Sequence, residues 1–249
     1  MSVYNTHVGG RLMEIYDQLL TAFGPENWWP AESPLEIVVG AVLTQNTSWS
    51  NVEKAIASLR QQDLLPQGIQ DATPQQTAAA AQDAGRRLLA LPEEELAELI
   101  RPAGFYRLKA RRLKNVLAFF DDVCAFDIGW LSESRRHDDD TLRRSLLKLG
   151  GIGPETADDI LLYALGRLSF VVDAYTMRLF ARHRLLPIEH NYESVRTMFM
   201  RALPQDIELY KSYHGLIVRA CKEWCVKRRP DCPACPLGRG LWAGVGLRH

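Results

Sequence analysis

No apolar run in this 249-residue chain approaches the ~20 residues that cross a bilayer, so no segment reads as a transmembrane helix. Net charge is also missing, since 30 Lys and Arg face 30 Asp and Glu. A bulk positive field therefore gives no support to polyanion binding, and any such contact must come from local groups. Alternating apolar and polar residues of the kind that mark strands are absent too; Phe170-Val171-Val172 is too short to form one. No signal peptide is evident, so the chain reads as cytoplasmic and its cysteines as thiols rather than disulfides.

What is present is helical periodicity. Apolar residues recur at helical spacing over Val8–Phe23, Leu35–Leu43, Asn51–Gln61, Glu93–Ile100, Leu108–Phe120, Asp140–Leu149, Glu155–Leu165, Ala174–His183, Tyr192–Ala202 and Ile207–Cys225. Ser50 is expected to cap the helix opening at Asn51, and Asp139 or Asp140 the one ending at Leu149. The Gln/Ala-rich stretch 67–83 reads as a loop with a weak helix. With 47% hydrophobic residues, an all-α chain of this length buries a substantial core in one or two domains.

The most informative segment is Leu149-Gly150-Gly151-Ile152-Gly153-Pro154-Glu155-Thr156-Ala157. Gly150-Gly151 lets the chain reverse where side chains would clash, and Pro154 suits a first helical turn because its missing N–H would be unpaired there. Between them, Gly151, Ile152 and Gly153 present backbone N–H groups at a helix N-terminus, an arrangement that binds phosphate oxygens without a basic side chain. An ordinary tight helix–helix connection is the competing reading. Further on, Val171-Val172-Asp173-Ala174-Tyr175-Thr176 brings one carboxylate out of an apolar run at the start of a helix. Asp173 reads as an N-cap, and the same carboxylate is placed to stabilise developing positive charge or to orient a water.

Four of five cysteines, Cys221, Cys225, Cys232 and Cys235, fall within fifteen residues, whereas Cys124 reads as a core thiol. Four thiolates suit either an iron–sulfur cluster or zinc. Two basic groups offer phosphate contacts or solvated faces: Arg107, Lys109, Arg111, Arg112 and Lys114, and Lys222, Lys227, Arg228 and Arg229. His214 and Lys211 share the helix leading to the cysteines, where Lys211 reads first as solvated. Tyr163 and Tyr175 read first as packing residues.

Together these motifs resemble the helix-hairpin-helix (HhH-GPD) DNA glycosylase superfamily, in its endonuclease III branch. The hairpin and Asp173 carry the match, joined by Val39-Gly40-Ala41-Val42-Leu43-Thr44-Gln45-Asn46-Thr47, by Gly104-Phe105-Tyr106 with Lys109-Ala110, and by the cysteine loop. Only about residues 60–95 look like an insertion. Phe23-Gly24-Pro25-Glu26-Asn27-Trp28-Trp29-Pro30, with Trp49, looks like the 3-methyladenine DNA glycosylase III branch.

The resemblance implies a two-lobed fold. A six-helix barrel with the hairpin would span 26–167, and 1–25 with 168–249 would form a second lobe carrying the cysteine loop. It implies a monomeric base-excision repair enzyme of bacterial nucleoid DNA, acting on double-stranded DNA in the cleft between lobes. A flipped damaged base would be released by cleavage of its N-glycosidic bond, with Asp173 assisting. Gln45 would fill the gap, Asn46 beside it would contact the DNA, and Phe105 would wedge the opposite strand unless it is a core aromatic. Trp28, Trp29 and Trp49 would stack on an alkylated, positively charged purine such as 3-methyladenine, each contact worth roughly 0.5–2 kcal/mol; packing between domains is the alternative for Trp28 and Trp29.

Two departures matter. Bifunctional members carry a lysine where Glu155 stands, and a carboxylate cannot form a Schiff base, so a monofunctional hydrolase is implied. An acid favoured by the helix dipole is the other account of Glu155. The family's fourth cluster cysteine is replaced by Leu241-Trp242, and Cys221, one turn before Cys225, is the candidate substitute for a 4Fe–4S cluster, with zinc as the alternative metal. Remaining alternatives are an endonuclease III-like glycosylase and AP lyase for oxidised pyrimidines, and a non-catalytic protein that binds damaged DNA.

Overall fold

A computed structural model describes residues 3–25, 28–68, 73–134 and 137–238. Among these the chain forms twelve α-helices and no strand: α1 (Val3–Phe23), α2 (Pro34–Leu43), α3 (Trp49–Gln61), α4 (Pro74–Ala90), α5 (Glu93–Leu99), α6 (Tyr106–Cys124), α7 (Ile128–Glu133), α8 (Asp139–Leu147), α9 (Pro154–Asp159), α10 (Ala174–Arg182), α11 (Tyr192–Ala202) and α12 (Ile207–Glu223). No described helix is long and apolar enough to cross a membrane. Residues Trp29–Arg167 form one compact unit; the described residues up to Trp28 and from Leu168 onward form another. Trp28 and Trp29 therefore belong to different units.

The unit 29–167 is built around α2. Leu35, Val38, Val39, Ala41, Val42 and Leu43 are fully buried, the signature of a helix enclosed on all sides. Its neighbours are α3, α4, α6, α7, α9 and the π-helical turn Ile160–Ala164 that continues α9. Ser33 caps it by accepting from the Glu36 N–H at 3.2 Å, and Pro34 occupies the first turn. Glu36 is itself buried; burial pushes its pKa up, while the Arg60 guanidinium, 2.8 Å away, pulls against that.

Several boundaries differ from those expected. The cap of α3 is Ser48, because the helix already begins at Trp49; Ser50 lies inside the first turn, its hydroxyl 3.1 Å from that of Ser48. The cap of α8 is Asp138 rather than Asp139 or Asp140, its carboxylate accepting from the Thr141 N–H at 2.7 Å. The segment expected to be largely loop instead holds α4, a helix of 17 residues. A reciprocal box between Thr73 and Gln76 starts it, and Ala81, Ala84 and Leu88 bury its inner face. Alanines give a weak apolar signal, which hid the period. Gly85 brings α4 against Phe126 so closely that a Cβ there would overlap the ring. The short α7, capped by Asp127, was also not foreseen.

In the other unit, α1 contacts α11 and α12, and α10 contacts α12. Phe170 stacks on Phe199 at 4.0 Å, and Tyr213, fully buried, donates its hydroxyl to the Leu12 carbonyl at 2.6 Å. At Gly9 a Cβ would lie 2.6 Å from the Ala202 carbonyl oxygen, so only glycine lets α1 and α11 approach this closely. Helix α12 ends at Glu223, short of the expected Cys225.

Candidate active-site residues and exposed turns

The chain enters α10 through Phe170, Val171 and Val172, all buried, and this apolar anchor fixes where Asp173 emerges. Asp173 is the N-cap of α10. Its Oδ1 accepts both the Thr176 N–H at 2.7 Å and the Thr176 hydroxyl at 2.9 Å. Oδ2 stands 3.5 Å from Nε2 of His214 on α12, and 12% of the side chain remains exposed. Burial pushes the carboxyl's pKa up, but His214 and the two Thr176 donors outweigh it and hold the group below its usual range. Asp173 is thus an ionised, immobilised carboxylate with one oxygen committed to the cap.

His214 does more than the sequence foretold. It is only 4% exposed and meets the edge of Trp28 at 6.5 Å between centroids. Lys222, near the end of α12, places its ammonium 4.8 Å from the Trp28 centroid. Lys211 pairs with Glu208 at 3.0 Å on the helix exterior. The signal for His214 was its spacing of seven residues from Cys221, which sets both on the α12 face turned to the start of α10. Tyr175 carries Arg178 over its ring at 4.9 Å, and its carbonyl accepts from the Cys221 thiol at 3.5 Å.

Cys225, Cys232 and Cys235 line one small cavity with Arg182, His183, Trp224, Asp231 and Gly238. Arg182 donates to the Cys225 sulfur at 3.1 Å. Cys221 shares a thiol hydrogen bond with Cys225, which raises the pKa of the former and lowers that of the latter. The two are not on one helix face as expected, because Cys225 lies beyond the helix end. At Gly238 a side chain would overlap the Cys232 carbonyl, so the loop closes tightly. Among the described residues no group of three or more His, Cys, Asp or Glu is arranged to hold a metal ion. Leu241 and Trp242 lie outside the described residues, as do Glu26 and Asn27. Cys124 is a half-buried thiol bonded to the Phe120 carbonyl, its pKa pushed up to about 11 by burial.

In the unit 29–167, α8 and α9 form the two arms of the hairpin. A buried bidentate pair joins them, Arg143 to Asp158 at 2.8 and 3.0 Å. Gly151 turns the chain with φ +88°, and Gly153 is the N-cap of α9. Gly151 and Gly153 are exposed. Ile152 is buried and its N–H donates to the Leu149 carbonyl at 3.1 Å, so of the three amides expected to face a phosphate this one is engaged within the turn. Glu155 is exposed in the first turn of α9.

Gln45 and Asn46 follow α2, Asn46 exposed with φ +53°. The Gln45 amide is fully engaged: Nε2 donates to the Gly151 carbonyl at 3.1 Å and the Thr156 hydroxyl at 2.9 Å, and Oε1 accepts from Arg112 at 2.5 Å. Phe105 is 67% exposed on a turn where both it and Gly104 have positive φ. A core role for this aromatic is thereby ruled out. Trp29 packs edge-on to Trp49 at 5.7 Å and against Tyr163 at 5.1 Å, three half-buried to buried aromatics in one cluster. Trp49 also donates to Glu53 at 3.0 Å.

Two lysines of the first basic cluster turn inward, whereas Arg107 and Arg111 stay exposed. Lys109 is 1% exposed and donates to the Leu43 and Ala103 carbonyls at 2.8 and 2.7 Å. Lys114 donates to the Leu88, Leu89 and Leu91 carbonyls. Both lysines cap helix ends from within, where carbonyls lack partners.

Known proteins place this architecture. Residues 39–205 match the family model described as HhH-GPD superfamily base excision DNA repair protein. A provisionally named DNA repair glycosylase of Methanocaldococcus jannaschii is 46% identical over 228 residues, covering 91% of this chain and 93% of that protein. Endonuclease III of Thermotoga maritima is 25% identical over 204 residues, 82% of this chain and 80% of the other. Among solved structures, the 3-methyladenine DNA glycosylase MagIII of Helicobacter pylori, bound to 1,N6-ethenoadenine, superposes with TM-score 0.66 at 26% identity, covering 88% of this chain and 97% of that one. An endonuclease III–DNA complex shares the fold, with TM-score 0.68 at 23% identity and 92% of each chain. The chain belongs to the HhH-GPD superfamily of base excision DNA repair glycosylases.

Proposed function

We propose that the chain is a monofunctional glycosylase that hydrolyses the N-glycosidic bond of an alkylated purine such as 3-methyladenine in double-stranded DNA. The observation that carries the reading is Asp173, held ionised and fixed at the start of α10; Glu155, in the first turn of α9, is a carboxylate and supplies no amine. Asp173 stabilises the positive charge that builds on the sugar as the bond breaks, or orients the attacking water, and Glu155 offers no amine at its position to capture the sugar. His214 holds the outward oxygen of Asp173 in line.

Trp28, Trp29 and Trp49 are the proposed pocket aromatics. The Trp28 face already attracts one cation, the Lys222 ammonium, which a positively charged alkylated purine would displace. Gln45, Asn46, Phe105 and the Gly151, Ile152 and Gly153 turn are the proposed duplex contacts. Cys221, Cys225, Cys232 and Cys235 are the residues that would hold a 4Fe–4S cluster. The donor set is all thiol, three of its members share a cavity, and Arg182 favours a thiolate at Cys225. When bound, such a cluster would supply a rigid cross-link within the loop that follows α12.

The test is base release from methylated DNA by the natural protein and by Asp173→Asn. Loss of release in the variant is expected; equal release by both would sink the reading. One observation favours a second reading, a glycosylase with AP lyase activity: the Lys222 amine sits against a proposed pocket aromatic. Borohydride trapping on abasic DNA separates the two. A covalent adduct that disappears in Lys222→Met would establish the lyase.

A further inference from the structure

Helix α6 carries a row of polar side chains at three-residue intervals, Lys109, Arg112 and Asn115, and between them they hold three turns of the same unit. Lys109 binds the Leu43 carbonyl, two residues before Gln45, and the Ala103 carbonyl, two residues before Phe105. Arg112 binds the Gln45 side chain, whose other end grips Gly151 and Thr156. Asn115 donates to the Gly150 carbonyl at 3.1 Å. Gly151 lies so close to Arg112 that a Cβ would overlap the guanidinium stem.

The three turns share one more property. Each passes through left-handed backbone, at Asn46, at Gly104 and Phe105, and at Gly151, and each exposes its tip. Such conformations persist only where the surroundings over-determine them. Lys109 ends on buried helix carbonyls, as Lys114 does on the end of α4. Arg112 and Asn115 instead end on the Gln45 side chain and on the exposed Gly150 carbonyl, within the turns themselves.

We propose that Lys109, Arg112 and Asn115 are positioning residues that fix the spacing of the Gln45-Asn46 loop, the Phe105 turn and the glycine hairpin, so that the three meet a duplex as one preset surface. The proposal rests on the reading in which these turns contact DNA.

The experiment uses the full chain and a duplex holding a tetrahydrofuran abasic analogue opposite 2-aminopurine, whose fluorescence rises when the base is unstacked. Phe105→Ala is expected to remove most of the rise. Arg112→Met is expected to lower the rise and weaken binding roughly fivefold, the scale of one ordinary hydrogen bond. Because both act on one event, Phe105→Ala with Arg112→Met should be no worse than Phe105→Ala alone. Arg112→Lys, which keeps a donor for Gln45, should recover the signal. Asn115→Ala, a milder change, should repeat the pattern if Arg112→Met folds poorly. Additive losses, or a full rise in both Arg112→Met and Asn115→Ala, would overturn the proposal. A full rise in Phe105→Ala would instead overturn the DNA-contact reading, and this inference with it.

Discussion

Thr176 spends both of its donors on one oxygen of Asp173, and the other oxygen is left facing His214. The cap and the proposed chemistry therefore occupy different atoms of one carboxylate. Replacing the residue by Asn keeps an acceptor for Thr176 but removes the charge, so the two roles come apart experimentally.

This separation predicts a pH dependence. The native pKa of Asp173 is depressed, so its ionised form contributes stability that is fully present above the ordinary carboxylate value of about 3.9 and lost as pH falls through the lower native value. Urea midpoints of the natural protein and Asp173→Asn should differ most at neutral pH and converge in acid below that range. A constant difference across the titration would show that the carboxylate owes nothing to its surroundings.

Lys109 carries the opposite linkage. Desolvation, then Arg112, lowers its pKa from 10.5 to about 8, so between those values the unfolded chain holds the proton that the folded chain has released. Stability then rises with pH across that window, by the order of 3 kcal/mol at about 1.36 kcal/mol per unit. Lys109→Met should lack this rise. Chemical denaturation of both proteins between pH 7.5 and about 10.5 checks it, and parallel curves would refute the burial argument.

Gly151 combines a φ of +88° with contact to Arg112. Gly151→Ala should therefore strain the turn, by about 1–2 kcal/mol for the left-handed backbone alone, and displace Arg112. Gly153, with φ −92° and nothing near its Cβ position, should accept alanine with little loss of stability. Thermal melts of the two variants give the comparison, and equal melting temperatures would contradict it.

Much of this was legible in the sequence because it depends on local pattern. The hairpin and the apolar lead into Asp173 each follow from a few neighbouring residues, whereas the place of Phe105 came only from the family resemblance. What stayed hidden was long-range or compositionally faint. Helix α4 escaped because its buried face is largely alanine. Lys109 and Lys114 looked like surface cations because nothing in their neighbourhood announces that distant carbonyls will enclose them. His214 could be placed on its helix, but its approach to Asp173, 41 positions earlier, is a tertiary fact. Gln45 was read as an intercalating residue, and its three hydrogen bonds to α6 and the hairpin arise only when segments more than sixty residues apart meet.

The sharpest test of the proposed chemistry restores what Glu155 replaces. Its position is exposed in the first turn of α9, so a longer side chain meets no packing barrier. Glu155→Lys exchanges an acid for a base at a helix N-terminus, which costs about 0.3–1 kcal/mol through the dipole and leaves the fold intact. It also supplies the primary amine that a Schiff base needs. The variant should form a borohydride-trappable adduct on abasic DNA, whereas the natural protein should not. Were the variant inert while folded and binding DNA normally, the first turn of α9 would not face the sugar, and the account of Glu155 as the residue that sets a hydrolytic course would be lost.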